Sequence, residues 1–236
     1  MKPRSARRLK TKGTPVLTKY FRALHAHFGP QHWWPARTRL EVVLGAILAQ
    51  NTAWRNVELA LGDLRREGFL HLDRLRGLTV DELASRIRSA GFFRQKAATI
   101  RRFLDWLDHA RGGSLSKLFS TSPHELRSSL LAIKGLGPET VDAILLYAGK
   151  QPFFVADAYT RRVLARHRLI PGWAGYSNAQ AYLHATLKRD YLFYNEYHAL
   201  IVEVGKKFCV KSAPKCSKCP LARFLPPAGP AKGGIS

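Results

Sequence analysis

The sequence predicts an all-α fold. Three observations carry that expectation. Apolar residues recur at helical spacing along most of the 236 residues, start and stop signals for helices punctuate them, and no segment shows convincing strand alternation or an internal repeat. A hydrophobic fraction of 46% supplies a substantial core and argues against global disorder.

The elements follow in order. Residues 40–48 are apolar on several faces around Gly45 and read as a buried helix. Residues 56–65 place Val57, Leu59, Ala60 and Leu64 at helical spacing. Residues 79–90 open on Thr79 with Glu82 three positions on, the pattern of a capping box, and stop at Gly91. Residues 95–107 put Ile100, Phe103, Leu104 and Leu107 on one face. Ser122-Pro123 starts a helix that runs to about Ile133, with proline in its first turn. Further helices are expected at 139–147, 157–165, 179–187 and 196–206. Trp106 and Trp173 are expected in the core. Residues 1–14 read as a flexible basic arm and the Pro/Gly-rich 226–236 as a disordered tail.

Charge narrows the partner. Lys plus Arg number 39 against 16 Asp plus Glu, a formal net charge of +23. Such self-repulsion calls for a polyanion, with nucleic acid ahead of an anionic membrane surface or a ribosomal contact. No apolar run reaches the roughly 18 residues of a membrane span. The basic N-terminus has no apolar stretch behind it and so is no secretory signal. Cys209, Cys216 and Cys219 cluster near the C-terminus and make no disulfide framework, which fits a reducing, cytoplasmic and nucleoid-associated location.

One motif points to a phosphate grip. Lys134-Gly135-Leu136-Gly137 lies between two expected helices, about 125–133 and 138–147. Glycines permit backbone angles closed to other residues and let main-chain N–H groups approach a phosphate at the start of the second helix. Leu136 would point inward and lock the turn. A tight helical corner without a ligand also uses glycine; the net charge favours the phosphate.

The stretch Ile133-Lys134-Gly135-Leu136-Gly137-Pro138-Glu139-Thr140-Val141-Asp142-Ala143 resembles the hairpin of the endonuclease III (HhH-GPD) DNA glycosylase superfamily. At the family's distance comes Phe154-Val155-Ala156-Asp157-Ala158-Tyr159, similar to its loop ending in a catalytic Asp. Gly45-Ala46-Ile47-Leu48-Ala49-Gln50-Asn51-Thr52 resembles its barrel helix, whose Gln plugs the gap left by an extruded base, and Gly91-Phe92-Phe93-Arg94 its intercalating loop, with Phe92 as a wedge. The resemblance covers about residues 30–225. It implies a two-lobed fold in which 42–150 form a six-helix barrel lobe with the hairpin. Residues 15–41 with 151–225 form the other lobe, which includes the cysteine loop. The implied partner is double-stranded DNA with a damaged base, bound by a monomer.

Cleavage of a glycosidic bond through an oxocarbenium-like transition state needs a negative charge beneath the sugar and an activated water. Asp157 is the candidate for both tasks, and it also suits a helix N-cap. Glu139 stands where bifunctional members carry a lysine nucleophile, and glutamate forms no Schiff base, so the resemblance implies a monofunctional enzyme. Glu139 is a second candidate in the site, where it would hydrogen-bond a pocket residue or a nearby lysine such as Lys206 or Lys207; a solvated glutamate at a helix start is the plain alternative. Trp33-Trp34-Pro35 together with Trp54 resembles the 3-methyladenine (type III, thermophile-type alkylpurine) branch, in which such aromatics stack on the flipped base. Cationic alkylpurines suit aromatic faces; core packing of the same tryptophans is the alternative. Cys209, Cys216 and Cys219 match the first three ligands of the superfamily's four-iron, four-sulfur loop, whose fourth would fall at Leu225. A cluster with another fourth ligand, a zinc ion, or a lapsed site that keeps only its lysines all remain open, and the chemistry requires none of them. The expected function is therefore hydrolytic release of alkylated purines. The alternatives are an endonuclease III-like enzyme for oxidised or mismatched pyrimidines, or a non-catalytic hairpin protein that binds DNA.

Overall fold

The computed structural model describes residues 16–231. Among them there are helices, turns and loops and no strand, so the expected all-α class holds. The basic arm at 1–14 lies outside the described residues.

The chain opens with α1 (Val16–Phe28), which the residue-by-residue reading passes over. It is held to the C-terminal part of the chain, where the Tyr197 hydroxyl donates to the Leu17 carbonyl at 2.8 Å. Next comes α2 (Arg39–Leu48), in which every residue from Leu40 to Leu48 is buried, as its all-round apolar pattern demands. Its N-cap is Thr38, so the lobe boundary expected at 41/42 falls inside this helix rather than before it. A sharp turn through Asn51, at φ 51°, leads to α3 (Trp54–Arg66), an amphipathic helix burying Val57, Ala60, Leu61 and Leu64. The short α4 (Leu72–Arg76) precedes α5 (Val80–Arg86), which has the Thr79–Glu82 capping box expected of it. The helical path then tightens to a 3-10 turn through Ala90.

The long α6 (Phe93–Arg111) begins earlier and ends later than its apolar stripe suggests, because Phe92 and Gly112, both left-handed, set its ends. After α7 (Leu115–Phe119), the helix α8 (Pro123–Leu131) carries Pro123 in its first turn. The helix α9 (Pro138–Ala143) runs directly into a π turn, Ile144–Ala148. The C-terminal part consists of α10 (Ala158–Arg166), α11 (Tyr176–Thr186) and α12 (Tyr191–Lys207). The five-residue helices α4 and α7 are too short to show a period, which is why the sequence does not announce them.

Helices α10 and α12 pack together with α1, while α2 packs against α3, α6, α9 and the π turn. The π turn also touches α12, so residues 144–148 join the two groups of helices. The hairpin is tied to the C-terminal helices by Asp142. This fully buried carboxylate accepts from Arg127 Nε at 2.6 Å, Tyr176 Oη at 2.8 Å and Gln180 Nε2 at 2.7 Å.

Two expectations are corrected. Trp173 is 78% exposed, because it rides on a tight turn closed by the Ala174 N–H on the Pro171 carbonyl. Trp106 is half-buried against Phe103, as expected of a core-facing aromatic. The first part of the tail is docked: the Ala231 N–H donates to the Arg166 carbonyl at 2.9 Å.

Candidate active site

A cavity of about 240 Å3 opens between the Trp33-Trp34 loop, the α2–α3 turn, the start of α10 and the face of α12. That is smaller than the roughly 300–1,000 Å3 of sites for drug-sized ligands and suits a single base. Trp33, Trp34, Trp54, Gln50, Glu139 and Asp157 all line it, so the structure gathers in one place residues that the sequence scatters over 125 positions.

The tryptophans form its aromatic wall. Trp34 stands edge-on to Trp54 at 4.9 Å between centroids, and Trp33 lies 5.1 Å from Trp54. Trp34 reaches inward because α2 has glycine opposite it; a Cβ on Gly45 would come within 3.1 Å of the indole. Pro35 does not join this wall. It is exposed at the apex of a turn closed by the Ala36 N–H on the Trp34 carbonyl, which corrects its expected place in the pocket.

Asp157 ends an extended segment whose anchors, Phe154 to Ala156, are buried. It caps α10, with Oδ1 accepting from the Thr160 N–H at 2.7 Å. Oδ2 lies 3.5 Å from His198 Nε2. Burial pushes the proton affinity of this carboxyl up, but His198 and the Thr160 hydrogen bonds outweigh it, and the pKa falls below the ordinary value. Glu139 stands at the cavity's mouth with part of its surface open to solvent. The surrounding protein raises its pKa, and the Asp157 charge raises it further.

The residues expected to face DNA lie around this opening. Gly135 sits at φ 101°, and a Cβ there would strike Thr99 Oγ1 at 2.3 Å, so only glycine fits. Gly137 differs from the expectation: at φ −89° with free space around it, it needs no glycine for the fold. Leu136 is buried and locks the turn, and Lys134 is exposed. Gln50 donates from Nε2 to the Gly135 carbonyl and to Thr140 Oγ1, both at 3.0 Å, which fastens the α2–α3 turn to the hairpin. Phe92, left-handed at φ 45°, is 61% exposed at the start of α6.

Three residues of this region, Tyr147, His198 and Lys96, escape the sequence reading, whereas Lys206 is expected there only as a neighbour of Glu139. Tyr147, His198 and Lys206 line the cavity. Lys96, only 3% exposed, donates from Nζ to the carbonyls of Leu48 and Ala90 at 2.8 and 2.7 Å. It thereby braces the Gln50 turn against the Phe92 loop. A lysine on the same stripe as Ile100, Phe103 and Leu107 was the available signal.

The chain belongs to the HhH-GPD superfamily of base excision DNA repair proteins. The family's model matches residues 44–189. A protein of Methanocaldococcus jannaschii assigned by name to the DNA repair glycosylases is 41% identical over 211 residues, covering 89% of this chain and 95% of that one. Two solved structures share the fold. An endonuclease III in non-covalent complex with DNA has a TM-score of 0.76 at 19% identity, covering 89% of this chain and 94% of that one. The 3-methyladenine DNA glycosylase of Helicobacter pylori, bound to 1,N6-ethenoadenine, has a TM-score of 0.70 at 24% identity, covering 81% and 97%. The protein is thus a DNA glycosylase of base excision repair. Among the described residues no helix is long and apolar enough to cross a membrane.

The cysteine loop gives this glycosylase no complete cluster site. Cys209, Cys216 and Cys219 surround a space of about 10 Å3, with Leu225 on its wall where a fourth thiolate is required. Cys209 Sγ already accepts from the Arg166 guanidinium at 3.1 Å. Burial raises the pKa of the Cys209 and Cys219 thiols. Among the described residues no group of three or more His, Cys, Asp or Glu side chains is arranged to hold a metal ion. The donor set does not fit a four-thiolate cluster.

Proposed function

We propose that this glycosylase hydrolyses the N-glycosidic bond of alkylated purines such as 3-methyladenine in double-stranded DNA, without cutting the strand. The observation that carries the proposal is the cavity itself, in which three tryptophans face the same space as Asp157. An N3- or N7-alkylated purine is cationic and electron-poor, so indole faces attract it by stacking and by cation–π interaction. Its glycosidic bond is already weak, so the pocket need supply little acid catalysis. The flipped base would lie against Trp34 and Trp54, Phe92 and Gln50 would occupy the gap in the duplex, and the hairpin at Lys134–Gly137 would hold a phosphate. The fold neighbour from Helicobacter pylori, whose bound base is itself an alkylated purine, supports the choice.

In the hydrolytic step the bond from C1′ to the base nitrogen breaks and its electron pair leaves with the base. Asp157 stabilises the positive charge on the sugar, takes a proton from water, and the hydroxide so formed bonds to C1′. Glu139 has no amine to offer the sugar. Lys206 is the amine on the wall, and it favours a second reading, strand cleavage through a Schiff base. Its Nζ lies 3.8 Å from Glu203 and 5.9 Å from the centre of the Trp33 ring, contacts that hold it at the rim. A panel of lesion duplexes with product identification, run with and without borohydride, tests both. Release of 3-methyladenine with no covalent adduct is expected. Release of thymine glycol alone would overturn the substrate, and an adduct lost in Lys206→Ala would establish the lyase.

A further inference from the structure

His198 is 6% exposed on α12 and faces the cavity. Its ring is fixed at one end by the Tyr147 hydroxyl, which is hydrogen-bonded to Nδ1. Tyr147 is half-buried on the cavity wall; lost hydration at its hydroxyl first and the Asp157 charge second raise its pKa well above the usual value, so its oxygen keeps a proton that it can donate to Nδ1. A neutral imidazole that accepts at Nδ1 carries its hydrogen on Nε2. Among the described residues that Nε2 is buried without a hydrogen-bond partner, and it lies 3.5 Å from Asp157 Oδ2. An unspent buried donor is a cost to the fold that a leucine at the same place would avoid.

We propose that His198 is the positioning residue of the catalytic carboxylate: Tyr147 sets its tautomer, and its Nε2–H holds Oδ2 of Asp157 while the Thr160 N–H holds Oδ1. With both oxygens held, the carboxylate keeps one orientation beneath the sugar and remains ionised where water is scarce. The resting distance exceeds the 2.7–3.2 Å of a well-formed bond, as is common before substrate binds. The pair tightens when base and sugar fill the cavity and exclude solvent. The arrangement has the logic of a triad, with tyrosine, histidine and carboxylate in series. The other charged groups on this cavity wall are Glu139 on α9 and Lys206 about two turns along α12, and Arg161 on α10 acts on Glu139. None of them is hydrogen-bonded to its ring. The inference rests on Asp157 acting as the catalytic carboxylate.

The test compares full-length wild type, His198→Gln and His198→Phe in single-turnover base release. The substrate is whichever lesion duplex the wild type processes, so an error in the alkylpurine assignment leaves the comparison intact. Affinity is measured on a duplex carrying a tetrahydrofuran abasic-site analogue. Gln presents an N–H near the place of Nε2, whereas Phe fills the space without a donor. The Phe enzyme is expected to lose roughly 100-fold in rate, the scale of a misplaced catalytic group, while its analogue affinity stays within a few-fold. Its acid limb in the pH profile should move to higher pH as Asp157 loses a partner. The Gln enzyme should recover most of the rate. A Phe enzyme as fast as wild type overturns the inference. So do Gln and Phe enzymes that are equally slow, or a rate loss in Phe matched by an equal loss of affinity, since both outcomes describe packing alone.

Discussion

Glu139 and Asp157 line one cavity with their proton affinities pushed apart, Glu139 upward and Asp157 downward. Such a split assigns different tasks to two carboxyl groups. Asp157 stays ionised below the ordinary carboxylate range, so on the proposed mechanism base release at pH 5 should not be limited by its protonation. Glu139 has the opposite linkage. A carboxyl whose folded pKa is raised destabilises the fold above that pKa, and the penalty fades as pH falls through it. Glu139→Gln should therefore stabilise the protein at pH 7 and lose that advantage in acid. Urea melts between pH 4 and 7 read the difference, and a constant offset across the range would refute the linkage.

Replacing Asp157 with Asn should separate chemistry from folding. Asn caps helices about as well as Asp, so the Thr160 bond and the start of α10 persist. The carboxylate charge and its basicity are lost, and base release should fall by roughly 100-fold or more. Affinity for an abasic-analogue duplex should remain near that of wild type.

Lys96 supports the two loops proposed to face DNA. Lys96→Met keeps the stem but leaves the Leu48 carbonyl without its partner and Ala90 with only Thr52 Oγ1 at 2.6 Å. A stability loss of about 1–3 kcal/mol is expected for the unmet buried acceptor. Because the Gln50 turn and the Phe92 loop are no longer braced, lesion affinity should drop as well. Hydrogen exchange at residues 49–53 and 90–93 would locate the loosening.

What the sequence discloses follows the range of the interactions. The Thr79–Glu82 box, Pro123 in its first turn and the Asp157 cap are contacts within a few residues, and each is legible. The Gly135–Leu136–Gly137 turn is legible for the same reason. Tyr147 and His198 are 51 residues apart, and nothing local links them. The one trace is a histidine at the head of the apolar run from Ala199 to Val202. Trp173 fails in the other direction: its bulk suggests a core position, but a turn at Pro171 carries it outward.

Two histidines, His167 buried and His184 half-buried, should set the acid limit of stability. Burial lowers the pKa of His167 to about 4, and of His184 likewise to about 4. His167 Nδ1 is paired with Tyr20 Oη at 2.8 Å, and His184 Nε2 accepts from the Phe154 N–H at 2.9 Å. A depressed folded pKa gives stability that is complete above the unfolded value near 6.5 and is lost as pH falls toward 4. Each contributes at most about 3 kcal/mol by this route. The melting temperature should fall steeply between pH 6.5 and 4, and less steeply in His184→Gln, which keeps an acceptor but does not titrate.

The cysteine loop should fold without iron. Arg166 donates to Cys209 Sγ and to the carbonyls of Val210 and Lys211, while Arg162 donates to the Cys209 carbonyl at 2.6 Å. These bonds, with Leu221 fully buried, hold the segment that a cluster would otherwise organise. Purified protein is expected to carry iron and sulfide far below four per chain and to show no brown absorbance. Chelators should leave its melting temperature unchanged. Leu225→Cys supplies the fourth thiolate at the spacing the loop already has, and on reconstitution with iron and sulfide this variant should gain the absorbance that wild type lacks. A wild type that reconstitutes to four irons would show instead that a non-cysteine ligand completes the site.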